Sequence, residues 1–188
     1  MSDTFPYFLV IIAVLLAFVS TYYQATTKRR RHKRKQKTAH RVIAKLNTLP
    51  DFPRKIAYLR KIDPFVFEEL LLHSFEAQGF KIVRNRSYTG DGGIDGVFYL
   101  NEEKFLIQAK RYKGLVSTNH IHTINAMAVN QGCYAVFCHT GKTPKTTLDF
   151  YRKHDRTLII SGEKLLNLIS NCDSIRKQLV GLSEKKDH

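Results

Sequence analysis

Cysteine is scarce in this chain, with three in 188 residues: Cys133, Cys138 and Cys172. That count excludes a small secreted scaffold held by disulfides and suits a reducing compartment. Cys133-x4-Cys138-His139 has the outline of a zinc motif. Its two cysteines, however, bracket the apolar run Tyr134 to Phe137, so buried-strand cysteines are expected there. Acidic residues are also in short supply, 16 against 31 Lys and Arg, leaving a net charge of +15. Internal repeats are absent, and low complexity is confined to one basic run. A hydrophobic fraction of 43% excludes wholesale disorder and leaves room for one ordinary domain plus an appendage.

Charge of either sign is missing from Thr4 to Thr27, and Pro6 to Tyr23 is dominated by Phe, Leu, Val, Ile and Ala. A helix over that stretch is about 27 Å long, near the hydrocarbon thickness of a bilayer. Tyr7 and Tyr22-Tyr23 stand where interfacial aromatics belong. Next comes KRRRHKRKQK, residues 28–37, whereas only Asp3 precedes the apolar stretch; a signal peptide has the reverse order. The positive-inside bias predicts a single-pass helix at about 6–23 in the inner (cytoplasmic) membrane. It places the N-terminus outside, the basic run on anionic lipid and the C-terminal domain in the cytoplasm. A nuclear-localisation-like patch or a non-specific nucleic-acid arm are the alternatives for the run. Residues 1–37 hold eight basic side chains and one acid. The remainder is basic too, which favours a polyanionic partner without naming it.

Residues 28–62 read as the basic juxtamembrane run and a linker, helical over Ala39 to Leu46 and interrupted by Pro50 and Pro53. The connector over 38–62 leaves room for one or two short helices and not for a separate winged-helix DNA reader. The globular domain, 63–180, opens on Asp63-Pro64, an N-cap with proline behind it. Phe67, Leu70, Leu71, Phe75 and Phe80 recur near helical spacing, with Gly79 as C-cap. Strands are expected at Lys81–Arg84, Ile94–Leu100, Lys104–Lys110, Tyr134–His139 and Leu158–Ile160, with a polar turn over Asn85–Gly93 and a hairpin connection at Asn101–Glu103. Helices are expected at Thr118–Asn130, with Ile121, Ile124, Ala128 and Val129 inward, at Pro144–His154, and in a last helix opening at Glu163. The order predicts an α/β fold with a mixed sheet flanked by helices, preceded by one transmembrane helix, and a frayed tail over 181–188.

Chemistry concentrates in GDGGIDGVFYLNEEKFLIQAK, residues 90–110. Strand alternation puts Gln108 and Lys110 on one side, and the hairpin brings Gln108 opposite or diagonal to Asp95. A carboxylate and an amide carbonyl are hard oxygen ligands that suit Mg2+, with Mn2+ as a substitute. Such a cation polarises a phosphate and acidifies water, and a nearby lysine helps orient that water. Glu68 or Glu69, early in the first domain helix, could supply a second carboxylate; spacing does not choose between them. Asp91 reads as a turn former. His120 and His122, two apart on a helix, point in different directions. Arg111, Tyr112 and Lys113, just past Lys110, and Lys142 and Lys145 near a helix start are candidates for phosphate contacts.

PFVFEELLLHSFEAQGFKI, GDGGIDGV and FLIQAKRYKG, in this order, resemble the Mrr-like branch of the PD-(D/E)xK restriction-endonuclease superfamily. YAVFCHTGKTPKTTLDFYRKHDRTLIISGEKLLNLI looks like its closing strand–helix–strand–helix portion, so the resemblance covers roughly residues 63–170. It implies a restriction-endonuclease-like fold and a divalent-metal-dependent DNA endonuclease. It also implies that the helix glutamate is the one directly after phenylalanine, Glu68, that the metal-binding aspartate is Asp95, and that the (D/E/Q)xK pair is Gln108 and Lys110. Glutamine at that position is a pattern of this branch. Double-strand cleavage would ordinarily need two sites, hence a homodimer. A membrane-tethered DNA-binding module with little turnover, or a lipid-associated scaffold, are the competing readings.

Overall fold

A computed structural model describes residues 5–84, 93–154, 156–171 and 174–183. Residues 85–92 of the expected turn Asn85–Gly93, Asp91 among them, and Cys172 lie outside the described residues.

Five strands form one mixed sheet in the order β1-β2-β3-β4-β5. β1 (Ile82–Arg84), β2 (Gly96–Leu100) and β3 (Glu103–Lys110) are antiparallel neighbours. β4 (Tyr134–His139) and β5 (Thr157–Ile160) run parallel to β3. All six residues of β4 are buried, the pattern of a central parallel strand covered on both faces. The β2–β3 connection is tighter than the sequence suggests: Leu100 pairs with Glu103, leaving a two-residue turn, Asn101–Glu102. Both turn residues have positive φ, 50° and 66°, the twist that closes a hairpin in register.

One face of the sheet carries an aromatic row. Phe98 stacks on its cross-strand partner Phe105 at 4.8 Å, and Phe105 on Tyr134 at 5.1 Å. Against this row packs α3 (Pro64–Ala77), with Phe67, Leu70, Leu71 and Phe75 buried. Asp63 Oδ1 accepts from the Phe65 and Val66 amides and starts the helix. Gly79, at φ 86°, ends it: the Phe80 amide donates to Phe75 O and the Gly79 amide to Glu76 O, a pair of bonds that returns the chain over the helix end. α6 (Glu163–Ile169) and α7 (Ser174–Ser183) complete this layer. The single last helix expected from Glu163 is therefore two, separated at Asn171, whose φ is 60°. The described part of the expected tail, 181–183, is helical, and Leu182 packs on the core.

The other face is covered by α4 (Thr118–Asn130) and α5 (Lys145–His154). Ile121, Ile124 and Ala128 of α4 are buried with Leu106, Phe137 and Ile159, together with Cys133. Val129, expected inward, is 53% exposed: it follows Ala128 by one position, about 100° around the helix, and misses the inward stripe. Cys133 and Cys138 are free and buried, as the apolar run implies, and burial raises both thiol pKa values.

The expected linker is ordered. α1 runs unbroken from Phe5 to Thr48, and α2 (Phe52–Leu59) follows, with Asp51 accepting from the Arg54 amide. Ala39, Val42 and Leu46 of α1 and Ile56 and Leu59 of α2 belong to the same core as α3, so packing extends the domain N-terminally beyond residue 63. In the N-terminal half of α1, Leu15, Leu16, Phe18, Tyr22 and Tyr23 are exposed. Among the described residues, no helix is long and apolar enough to cross a membrane.

Candidate active site

The site lies where β2 begins and β3 ends. The Asp95 amide donates to Ile107 O at 2.8 Å, and Gly96 is itself the partner of Ile107. Two residues thus address one, as in a β-bulge, a device that re-aims a side chain at a strand end. The Asp95 carboxylate turns onto β3, where Oδ2 accepts from the Ala109 amide at 2.7 Å. Ala109 separates Gln108 from Lys110, so Asp95 is fastened between the two residues it was expected to join.

Gln108 is buried, and its Nε2 donates to Gly93 O at 2.9 Å. That bond turns Oε1, the oxygen suited to a hard cation, away from the carbonyl. Gly93 has a φ of 83°, and a Cβ there would fall 2.7 Å from Gln108 Nε2 and 3.7 Å from Lys110 Nζ. Both side chains therefore reach the same glycine, and only glycine leaves them room.

The structure separates the two glutamates. Glu68 is half-buried, and its pKa is pushed up to about 8, first by burial and then by the Asp95 charge; Lys35 and Lys110 oppose this. Glu69 faces away and is 4% exposed, with Oε2 accepting from Arg84 Nε at 3.2 Å. Arg84 also holds Glu76 through two bonds of 2.5 and 2.7 Å. Glu68, Asp95, Gln108 and Lys110 thus share one neighbourhood, while Glu69 belongs to a structural ion pair.

The family profile of the Mrr catalytic domain, described as restriction endonuclease, matches residues 59–169. The chain belongs to the Mrr family of restriction endonucleases. It is 29% identical over 119 residues to the type IV methyl-directed restriction enzyme EcoKMrr of Escherichia coli (strain K12), covering 59% of this chain and 39% of that enzyme. The chain therefore spans well under half of the relative's length. Among solved structures it is similar to the MspJI restriction endonuclease in complex with a 27-mer oligonucleotide, with a TM-score of 0.42 and 18% identity, over 63% of this chain and 31% of that one.

The donor set of this Mrr-family chain fits a hard divalent cation. Two carboxyl groups and an amide carbonyl supply only oxygen; burial first and the Asp95 charge second raise the Glu68 pKa, and a cation bound there would favour its ionised form. Among the described residues, no group of three His, Cys, Asp or Glu side chains could hold a metal. Among the described side chains, Gln108 is the further oxygen donor beside Asp95 and Glu68.

The candidate phosphate contacts divide. Lys113, Lys142 and Lys145 are exposed. Arg111 turns inward, its Nη1 donating to Arg60 O at 3.0 Å, while Arg60 Nε and Nη2 donate to Thr140 O at 3.0 and 2.9 Å. Tyr112 is clamped as well: its amide donates to Thr140 Oγ1 at 2.9 Å, and its hydroxyl is hydrogen-bonded to His120 Nδ1. His122 instead bonds the Tyr151 hydroxyl at 2.6 Å, so the two histidines go to different partners. Sequence reasoning missed Arg60, which locks the chain after Lys110, and Lys35, whose charge reaches Glu68. Both come from segments read as linker, and no local motif marks either.

Proposed function

We propose that this chain is a divalent-metal-dependent DNA endonuclease, held at the cytoplasmic face of the inner membrane by its N-terminal helix. The observation that carries the nuclease reading is the fastening of Asp95 to the Ala109 amide between Gln108 and Lys110, with Glu68 adjoining. Asp95, Gln108 and Glu68 would hold a Mg2+, with Mn2+ as a substitute, which when bound would supply electrophilic charge to the scissile phosphate and acidify the attacking water. Lys110 orients the water and balances charge building on the phosphate. Exposed Lys113, Lys142 and Lys145 meet the DNA backbone, and cutting both strands brings two copies of the chain together. The anchor reading rests on the uncharged run from Thr4 to Thr27, the basic residues 28–37 behind it and the exposed apolar side chains of α1.

The test is cleavage by the full chain in non-ionic detergent with Mg2+, on supercoiled, linear, methylated and single-stranded DNA side by side. Cutting that disappears in Asp95→Ala and Lys110→Ala is the expected result. Equal cutting by those variants points to other residues. Binding without cleavage of any substrate, unchanged by Lys110→Ala, makes the chain a DNA tether instead. Retention of the full chain in the membrane pellet after a carbonate wash tests the anchor.

A further inference from the structure

The inward side of α1 does not end with its buried residues. Ala39, Val42 and Leu46 are spaced by three and four and sit in the core. Lys35, one turn earlier, continues that side of the helix. Its Nζ lies 3.5 Å from the centre of the Phe65 ring, and Phe65 and Glu68 are neighbours three apart on α3. α1 therefore delivers an ammonium beside the carboxylate that adjoins Asp95, and the aromatic face holds it there. The basic residues 28–37 lie on the same unbroken helix, where Arg30, Lys33, Arg34 and Lys37 are exposed. Ten helical residues span about 15 Å, the length of about four nucleotide steps along one strand.

We propose that Lys35 and the basic stretch of α1 leading into it form one wall of the DNA cleft, with Lys35 gripping a backbone phosphate next to the scissile one. This rests on the nuclease reading and deepens it. A basic run serving only as a stop-transfer signal needs no defined place on the domain. This run is fixed by a helix end buried in the core and arrives at the active site. The ligand is the phosphodiester backbone of duplex DNA, and anionic headgroups are the competitor to be tested.

The full chain is reconstituted in phosphatidylcholine discs and, separately, in discs containing phosphatidylglycerol. Its affinity for a labelled duplex of about 20 base pairs is measured over a series of NaCl concentrations, with chelator present so that nothing is cut. Each phosphate contact contributes about 0.9 to the slope of log K against log salt. Lys35→Gln is expected to lower that slope by about one and weaken binding about three- to tenfold near 100 mM salt, in both kinds of disc. Lys35→Arg keeps slope and affinity, which excludes a folding defect as the cause. Lys104→Gln, at the far end of β3, changes neither. A Lys35→Gln slope equal to wild type overturns the proposal, as does an effect that vanishes in phosphatidylglycerol discs, which would give Lys35 to the headgroups. Cleavage is then read on the same samples with Mg2+. A wild type that binds with the Lys35-dependent slope but never cuts defeats the nuclease reading alone. One that cuts while Lys35→Gln keeps the full slope defeats this inference alone.

Discussion

His139, at the end of β4 and paired in register with Lys110, makes the acid stability of this domain predictable. Its ring is fully buried. Nδ1 accepts from the Gly141 amide at 3.1 Å, so Nε2 carries the proton and donates to Thr143 Oγ1 at 2.8 Å. Phe137 and Tyr112 close over it, with ring centres 5.5 and 6.1 Å away. Burial lowers its pKa from 6.5 to about 4. In the unfolded chain the ring takes a proton below about pH 6.5, while the folded protein resists until about pH 4. Stability is therefore lost as pH falls through that window. At about 1.4 kcal/mol per pH unit the full loss is about 3 kcal/mol, of which about 2 has gone by pH 5. That is a large share of the 5–15 kcal/mol or so that holds a typical domain together.

Other groups titrate in the same range with either sign. Glu68, whose folded pKa is raised, stabilises the fold on acidification below about pH 8, whereas Glu76, lowered by its hydrogen bonds to Arg84, destabilises it. The informative quantity is consequently the difference between wild type and His139→Gln in urea unfolding across pH, followed by tyrosine fluorescence because the chain has no tryptophan. Wild type should be the more stable at about pH 8, and the gap should shrink by about 2 kcal/mol by pH 5. Two curves that stay parallel would refute the reasoning.

Gly93→Ala forces a side chain into a left-handed position and onto Gln108. Cleavage should fall at least tenfold while the melting temperature moves little, and the Mg2+ concentration for half-maximal activity should rise if Gln108 is a ligand. Arg84→Ala leaves Glu69 buried without its guanidinium, and chemical unfolding should show a loss of about 3 kcal/mol; an unchanged midpoint would mean that the pair adds nothing to the stability of the fold. Glu102→Gly removes a side chain from a turn position at φ 66° and should raise stability by about 0.5–1 kcal/mol in thermal unfolding.

Legibility in the sequence followed how local each signal was. Asp63-Pro64 and Gly79 bounded α3 because capping involves only the chain within one turn of the helix end. The apolar run Tyr134 to Cys138 of β4 and the stripe of Ile121, Ile124 and Ala128 declared their elements by pattern alone. Val129 was misplaced because an apolar residue beside a stripe looks like part of it. Asp95, Gln108 and Lys110 were legible as a group because a single hairpin brings them together. Their orientation was not, since it depends on a bulge and on the Asp95 bond to Ala109.

By itself, then, the sequence determined the alternation of strands and helices, the hairpin that carries the candidate site, and the uneven spread of positive charge. Those rest on periodicity, turn chemistry and side-chain type, which act over a few residues. Tertiary structure supplied what residue spacing left open, setting Glu68 beside Asp95 while Arg84 on β1 takes Glu69. It decided that Arg111 faces Arg60 and not solvent, and that the presumed linker is a helix carrying Lys35 to the site. Each of these pairs residues distant in the chain, and which partner a charged side chain finds is fixed only once the core has set the faces of α1 and α3 against the sheet.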